Sequence, residues 1–139
     1  MDPNSCSNTD EVKIINLDLN LKVDFEKKEL SGFVEIKAKT LKTNIKTISL
    51  DIRKLQIEKV ESVEKKELSY EIIDKTDLGS NLKIDISSIV IENQEFTILV
   101  FYKTSPDGEA IQWLNPNQTI GKEYPYLFSQ CQAIHARTM

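Results

Sequence analysis

The chain has 139 residues, 40% of them hydrophobic and 29% charged, which suits one soluble globular domain rather than a disordered segment. Its 18 basic and 22 acidic residues leave a net charge of −4, so there is no cationic footprint for nucleic acid and no attraction to anionic lipid. No apolar run approaches the roughly 20 residues that cross a bilayer. The polar residues 1–10 hold no apolar stretch of a leader, which makes the cytoplasm the default location.

Residues 1–12 read as a polar arm outside the fold, and residues 13–139 as the domain. The domain opens with Leu17, Leu19, Leu21, Val23 and Phe25 at every second position, separated by Asp18, Asn20, Lys22 and Asp24. A period of two predicts a strand with one face buried and one wet. Residues 26–32 should turn the chain, and Val34, Ile36 and Ala38 resume the alternation, completing an antiparallel hairpin. Ile48, Leu50 and Ile52 predict the next strand. Leu55, Ile57 and Val60 follow so closely that either a second hairpin or a bent strand fits. Charged residues 61–67 read as a solvated turn, although 62–68 is also the best helical candidate of the chain. Tyr70 and Ile72, then Leu82, Ile84 and Ile86, then Phe96, Ile98, Val100 and Tyr102 continue the strand pattern. Polar turns fall between them at 77–81 and 92–95. Short strands with polar turns and no sustained helical stripe predict an all-β fold, an antiparallel sandwich or curved sheet.

After Tyr102 the texture changes. A turn cluster at 104–108 leads into Trp113, Pro116, Gly121, Tyr124, Pro125 and Tyr126, without periodicity. A long irregular aromatic stretch of this kind serves function or closes one end of a sandwich.

Candidate chemistry is sparse. His135 is the single histidine, and a catalytic zinc site needs more than one such ligand. The His-Glu-x-x-His pattern is missing from the sequence. Cys131 lies four residues before His135, a backbone separation of roughly 13 Å in an extended segment, beyond the reach of a thiol–imidazole pair. His135 is expected to be a half-buried polar residue with backbone partners. Cys6 and Cys131 lack metal or redox spacing and read as reduced thiols. Residues 74–79 suggest a calcium loop only faintly, with too few closely spaced oxygen ligands. Residues 129–135 alternate in polarity and read as a strand that projects Gln130 and Gln132 from one face. Two adjacent amides suit a polar ligand such as a peptide backbone or a terminal amine, although composition alone favours a plain exposed strand face.

The string Gln112-Trp113-Leu114-Asn115-Pro116-Asn117-Gln118-Thr119, followed by Gly121-Lys122-Glu123-Tyr124-Pro125-Tyr126-Leu127-Phe128-Ser129-Gln130-Cys131-Gln132-Ala133-Ile134-His135-Ala136-Arg137, resembles the leukotriene-A(4) hydrolase and aminopeptidase B branch of the zinc aminopeptidases. Val23-Asp24-Phe25, Leu30-Ser31-Gly32, Leu55-Gln56-Ile57-Glu58-Lys59-Val60 and Tyr102-Lys103-Thr104-Ser105-Pro106 carry the likeness back to about residue 17. The resemblance implies a saddle-shaped amino-terminal β-domain packed against a separate catalytic domain. In that family the segment matching residues 130–133 reaches the active-site cleft. Gln132 would hold the amino terminus of a peptide substrate, with Gln130 and Ala133 lining the same pocket.

The zinc ligands and general base of the family lie later in its sequence, so zinc is expected only in a full-length member and this chain should not catalyse hydrolysis. Ala136 stands where the family has cysteine. The chain ends at Met139, where the family continues into further strands, so the sheet is expected to lack its last strands and to present an open edge to a protein partner. Two functions follow from the likeness. One is the substrate-binding segment of a metalloaminopeptidase. The other is a non-catalytic truncated paralogue acting as a structural or binding module. A carbohydrate-stacking platform of Trp113, Tyr124 and Tyr126 is a third, weaker reading.

Overall fold

The first alternating run becomes strand β1, Val12–Asp24, and the chain turns at residues 25–28 into β2, Glu29–Thr40. The two pair antiparallel, with Leu17 opposite Ile36, Leu19 opposite Val34 and Val23 opposite Leu30. The turn is tighter than residues 26–32, because Lys28 takes a left-handed φ of 54° and strand resumes at Glu29. The computed structural model describes residues 3–91 and 94–139, and of Lys75 and Thr76 the backbone alone.

Two sheets form the body of the fold. β7, Glu95–Thr104, pairs with β2 on one side and with β4, Leu55–Ser62, on the other, in the order β1-β2-β7-β4. β3, Thr47–Ile52, β6, Gly79–Asp85, and β5, Tyr70–Thr76, form the second sheet in the order β3-β6-β5. All of these pairings are antiparallel. The main core draws on both sheets: Ile36, Val60, Ile98 and Val100 from the first, Ile48, Leu82 and Ile84 from the second. Burying each such side chain contributes about 1.5–3 kcal/mol. The all-β antiparallel fold predicted from the alternation is therefore the fold observed.

Several expectations are corrected. β3 and β4 are neither a hairpin nor neighbours, because the chain crosses from one sheet to the other at residues 53–54, where Lys54 takes φ 55°. Residues 62–68 form no helix. Lys65 turns at φ 62°, Glu61 bridges Glu67, and Leu68 returns its N–H to the Val60 carbonyl at 2.9 Å. The charged turn read over 61–67 is what is found. Residues 74–79 close a plain β5–β6 hairpin, in which Asp74 accepts a hydrogen bond from Ser80 Oγ at 2.7 Å. The polar turn expected at 92–95 falls partly on residues 92 and 93, outside the described residues.

Two further corrections concern surfaces. The middle of β1 is not buried: Leu17 and Leu19 are 53% and 54% exposed, whereas Val12 joins the main core and Leu21 packs against the smaller one. The amino-terminal arm is not outside the fold either. Asp51 on β3 accepts hydrogen bonds from Ser5 Oγ at 2.6 Å, from the Cys6 N–H at 2.7 Å and from Ser7 Oγ at 3.2 Å. Asn8 bridges the same strand, donating to the Thr47 carbonyl and accepting from the Ser49 N–H.

Candidate functional site

The glutamine segment sits at one end of the molecule, on a small hairpin. β8, Ile111–Leu114, pairs with β9, Tyr126–Ser129, placing Trp113 opposite Leu127 and Leu114 opposite Tyr126. Because alternate residues face opposite ways, one face carries Ile111, Trp113 and Leu127. This face meets Leu21, Leu30, Ala110, Cys131 and Met139 in a second, smaller core. Phe25 packs edge-on against the Trp113 ring at 5.8 Å between centroids. The other face carries the exposed Gln112, Tyr126 and Phe128. Trp113 and Tyr126 thus point to opposite sides, so Trp113, Tyr124 and Tyr126 form no common stacking platform. The connection between the strands, irregular as expected, contains one short 3-10 turn at Pro116–Gln118.

The strand expected over residues 129–135 ends at Ser129. Beyond it the chain is held from below at defined points. The Gln130 N–H donates to the Ala110 carbonyl at 2.8 Å, and the Ala110 N–H donates to Thr138 Oγ1 at 2.9 Å. Thr138, itself 1% exposed, donates from the same oxygen to the His135 carbonyl at 2.8 Å. The His135 N–H donates to the Cys131 carbonyl at 3.1 Å, so residues 131–135 curl into a turn rather than extend. The extended separation computed for Cys131 and His135 does not apply. His135 then opens a 3-10 turn, His135–Thr138, and is half-buried with backbone partners, as the sequence suggested.

This scaffold leaves Gln130, Gln132 and Ala133 exposed together on the loop. The two glutamine side chains do not share a strand face. Gln130 Oε1 accepts the Gln132 N–H at 3.1 Å, folding the Gln130 amide over its own turn and leaving the Gln132 side chain as the outward amide. A cis peptide bond joins Gln132 to Ala133. Clefts occur elsewhere, one beside β1 and β3 near Val12 and Ile48 and one beside β5 and β6 near Tyr70 and Lys83, and neither is lined by the glutamine loop. The loop therefore offers donors and acceptors on an open surface rather than in a pocket.

Among the described residues no three His, Cys, Asp or Glu side chains converge to hold a metal ion. Cys6 and Cys131 are both free thiols. Among the described residues no helix is long and apolar enough to cross a membrane.

Sequence reasoning missed the residues that fix the loop. Arg137 donates from Nε to the Ile134 carbonyl, from one terminal nitrogen to the Leu78 carbonyl and from the other to the Asn4 carbonyl, each at 3.1 Å. Its own carbonyl accepts the Arg53 N–H at 2.7 Å. Ala110, Thr138 and Asp51 complete this support, through partners whose separation in sequence leaves no local signal.

Two antiparallel sheets with a terminal hairpin and loop of this kind define the class: the chain belongs to the Peptidase M1 N-terminal domain family, which matches residues 13–139. Within that family it is similar to leukotriene A-4 hydrolase of Xenopus laevis, at 33% identity over 99% of this chain and 23% of the relative. It is also similar to leucine aminopeptidase 2 of Kluyveromyces lactis, at 35% identity over 99% of this chain and 20% of the relative. Its fold superposes on that of native yeast LTA4 hydrolase with a TM-score of 0.88 at 35% identity, covering 99% of this chain and 21% of that one. The same yeast enzyme in complex with bestatin gives 0.87 at 34% identity. The chain thus spans about a fifth of the length of the relatives it matches.

Proposed function

We propose that this chain is a substrate-facing segment of a zinc aminopeptidase of the leukotriene-A(4) hydrolase kind, supplying one wall of the pocket for a peptide amino terminus and no catalytic group. The observation that carries this reading is the exposure of Gln130, Gln132 and Ala133 on a loop pinned from beneath by Ala110 and Thr138. A carbonyl and an amide held on a rigid base can receive the ammonium and the first peptide group of a substrate. The complementary wall, with zinc and general base, would come from a catalytic domain. Two free cysteines fit a reducing compartment, and we place the protein in the cytoplasm.

The chain alone should not release chromophore from an amino-acid anilide and should hold no stoichiometric zinc. Chelator-sensitive turnover would overturn its catalytic silence. The pocket role is tested by exchanging the chain for the matching segment of the Kluyveromyces lactis leucine aminopeptidase 2, to which it is 35% identical. In that chimera Gln132→Ala should raise KM and weaken bestatin binding about tenfold, as expected for one lost hydrogen bond to a charged group. An unchanged KM and unchanged bestatin affinity would remove the role.

A second reading, a non-catalytic binding module, is favoured by one observation, the long open edge at β1 with its exposed leucines.

A further inference from the structure

Of the sheet edges among the described residues, β1 is the long one without a cover. The β3 edge is occupied, since Asn8 bonds Thr47 and Ser49 and the Arg137 carbonyl takes the Arg53 N–H. The β4 edge carries a register shift between Ile57 and Lys59 and ends in the Glu61–Glu67 bridge. β5 is short, 7 residues against the 13 of β1, and carries the exposed acids Glu71 and Asp74. Bulges, charges and short length are the devices that keep edges from pairing. On β1 the bulge is confined to the start, between Ile14 and Asn16, and the exposed charges that follow, Asp18 and Lys22, are of opposite sign. From Asn16 to Asp24 the strand is regular, with Leu17, Leu19 and Val23 uncovered at 53%, 54% and 41% exposure.

The order of residues along this regular part is self-complementary. We infer that β1 pairs antiparallel with β1 of a second copy about a twofold axis through Asn20, joining two four-stranded sheets into one. In this register Asp18 lies opposite Lys22 of the other copy, Leu19 opposite Leu21, Leu17 opposite Val23 and Asn16 opposite Asp24. Symmetry repeats each pair. Directly opposed residues share a face about 4.5–5.5 Å apart, so two ion pairs flank the axis on one face, while on the other the exposed Leu19 meets the half-buried Leu21 and Leu17 meets Val23. Every second residue of an edge strand turns its N–H and C=O outward, and a shift by one residue would set outward groups against inward ones. Shifts by two are disfavoured by charge. An axis through Leu19 loses both ion pairs, and an axis through Leu21 sets Asp18 against Asp24. The pairing does not depend on the substrate-facing role proposed for the glutamine loop.

Sedimentation equilibrium of the 139-residue chain tests this, expecting a mass that rises from 15.9 kDa to twice that value with concentration. Asp18→Lys and Lys22→Asp each place like charges opposite one another, twice per dimer, and each should raise the dissociation constant about tenfold or more. Both side chains are exposed, and circular dichroism should show native folding. The double variant D18K/K22D restores opposite charges and should return the dissociation constant close to that of the parent. A monomer at concentrations of about 500 µM overturns the inference and leaves the edge to a different polypeptide. Dimers insensitive to the single variants, or single variants that the double does not rescue, place the interface elsewhere.

Discussion

Asp51 and Arg137 hold both ends of the chain on strand β3. The guanidinium stands 3.9 Å from the carboxylate, which gathers Ser5, Cys6 and Ser7 while the guanidinium reaches the Asn4, Leu78 and Ile134 carbonyls. At that distance the pair is a weak ion pair, and its effect lies in the hydrogen bonds each group collects.

Asp51→Asn should therefore destabilise the fold by roughly 1–3 kcal/mol, as an amide cannot accept on both oxygens. Partial burial opposes charge on Asp51, but the hydrogen bonds from Ser5, Cys6 and Ser7 and the nearby Arg137 outweigh it and hold the carboxyl below its ordinary value. The sign follows from that direction. With the folded pKa depressed, the contribution is present above the unfolded pKa and is lost as pH falls through the folded one. Urea titrations from neutral to acid pH should show a loss of stability that the Asn variant lacks.

Thr138→Val keeps the shape of a buried side chain and deletes the acceptor for the Ala110 N–H. The expected cost is about 1–3 kcal/mol, since a buried donor is left without a partner. Thr138→Ser keeps the oxygen and should recover part of it. Hydrogen exchange at Ala110 and Gln130 should quicken in the Val variant alone.

Tyr102 is 2% exposed and donates its hydroxyl to the Met139 carbonyl at 2.7 Å. Burial pushes its phenol up to about 12. A group whose folded pKa is raised stabilises fully below its unfolded value, ordinarily 10.0, and that stability is lost as pH rises toward about 12. Ultraviolet titration should show one late-ionising phenol that disappears in Tyr102→Phe, with stability falling over the same range.

Gly32→Ala should cost about 2 kcal/mol or more. Gly32 has φ +151°, and a Cβ there would overlap the carbonyl oxygen of Asn20 on β1. Thermal unfolding measures the loss. The Ser31→Ala variant, one position away and without that clash, is the control and should change little.

The strands were legible because alternation encodes which side chains share a face, and Ile36, Ile84 and Ile98 are buried as that pattern requires. Alternation does not encode whether a face is covered. Leu17 and Leu19 alternate as regularly as Ile98 and Val100, yet they are exposed while those on the central strand β7 are buried. Residues 130–133 were singled out by family resemblance rather than by physics. Their alternating polarity suggested a strand, and the turn is imposed by the Cys131 carbonyl and Thr138 from within the tertiary structure. The ordered arm was illegible for the same reason, as Cys6 bonds a carboxylate 45 residues away.

The contact between Arg137 and the Asn4 carbonyl spans 133 residues of sequence. Contacts of that span repay chain closure only after the intervening strands have assembled, which makes them slow to form. The bond between the two ends of the chain is thus expected to form late in folding and to be among the first to open, which hydrogen exchange would show. The join of the two termini is, in time as well as in space, the margin of the fold.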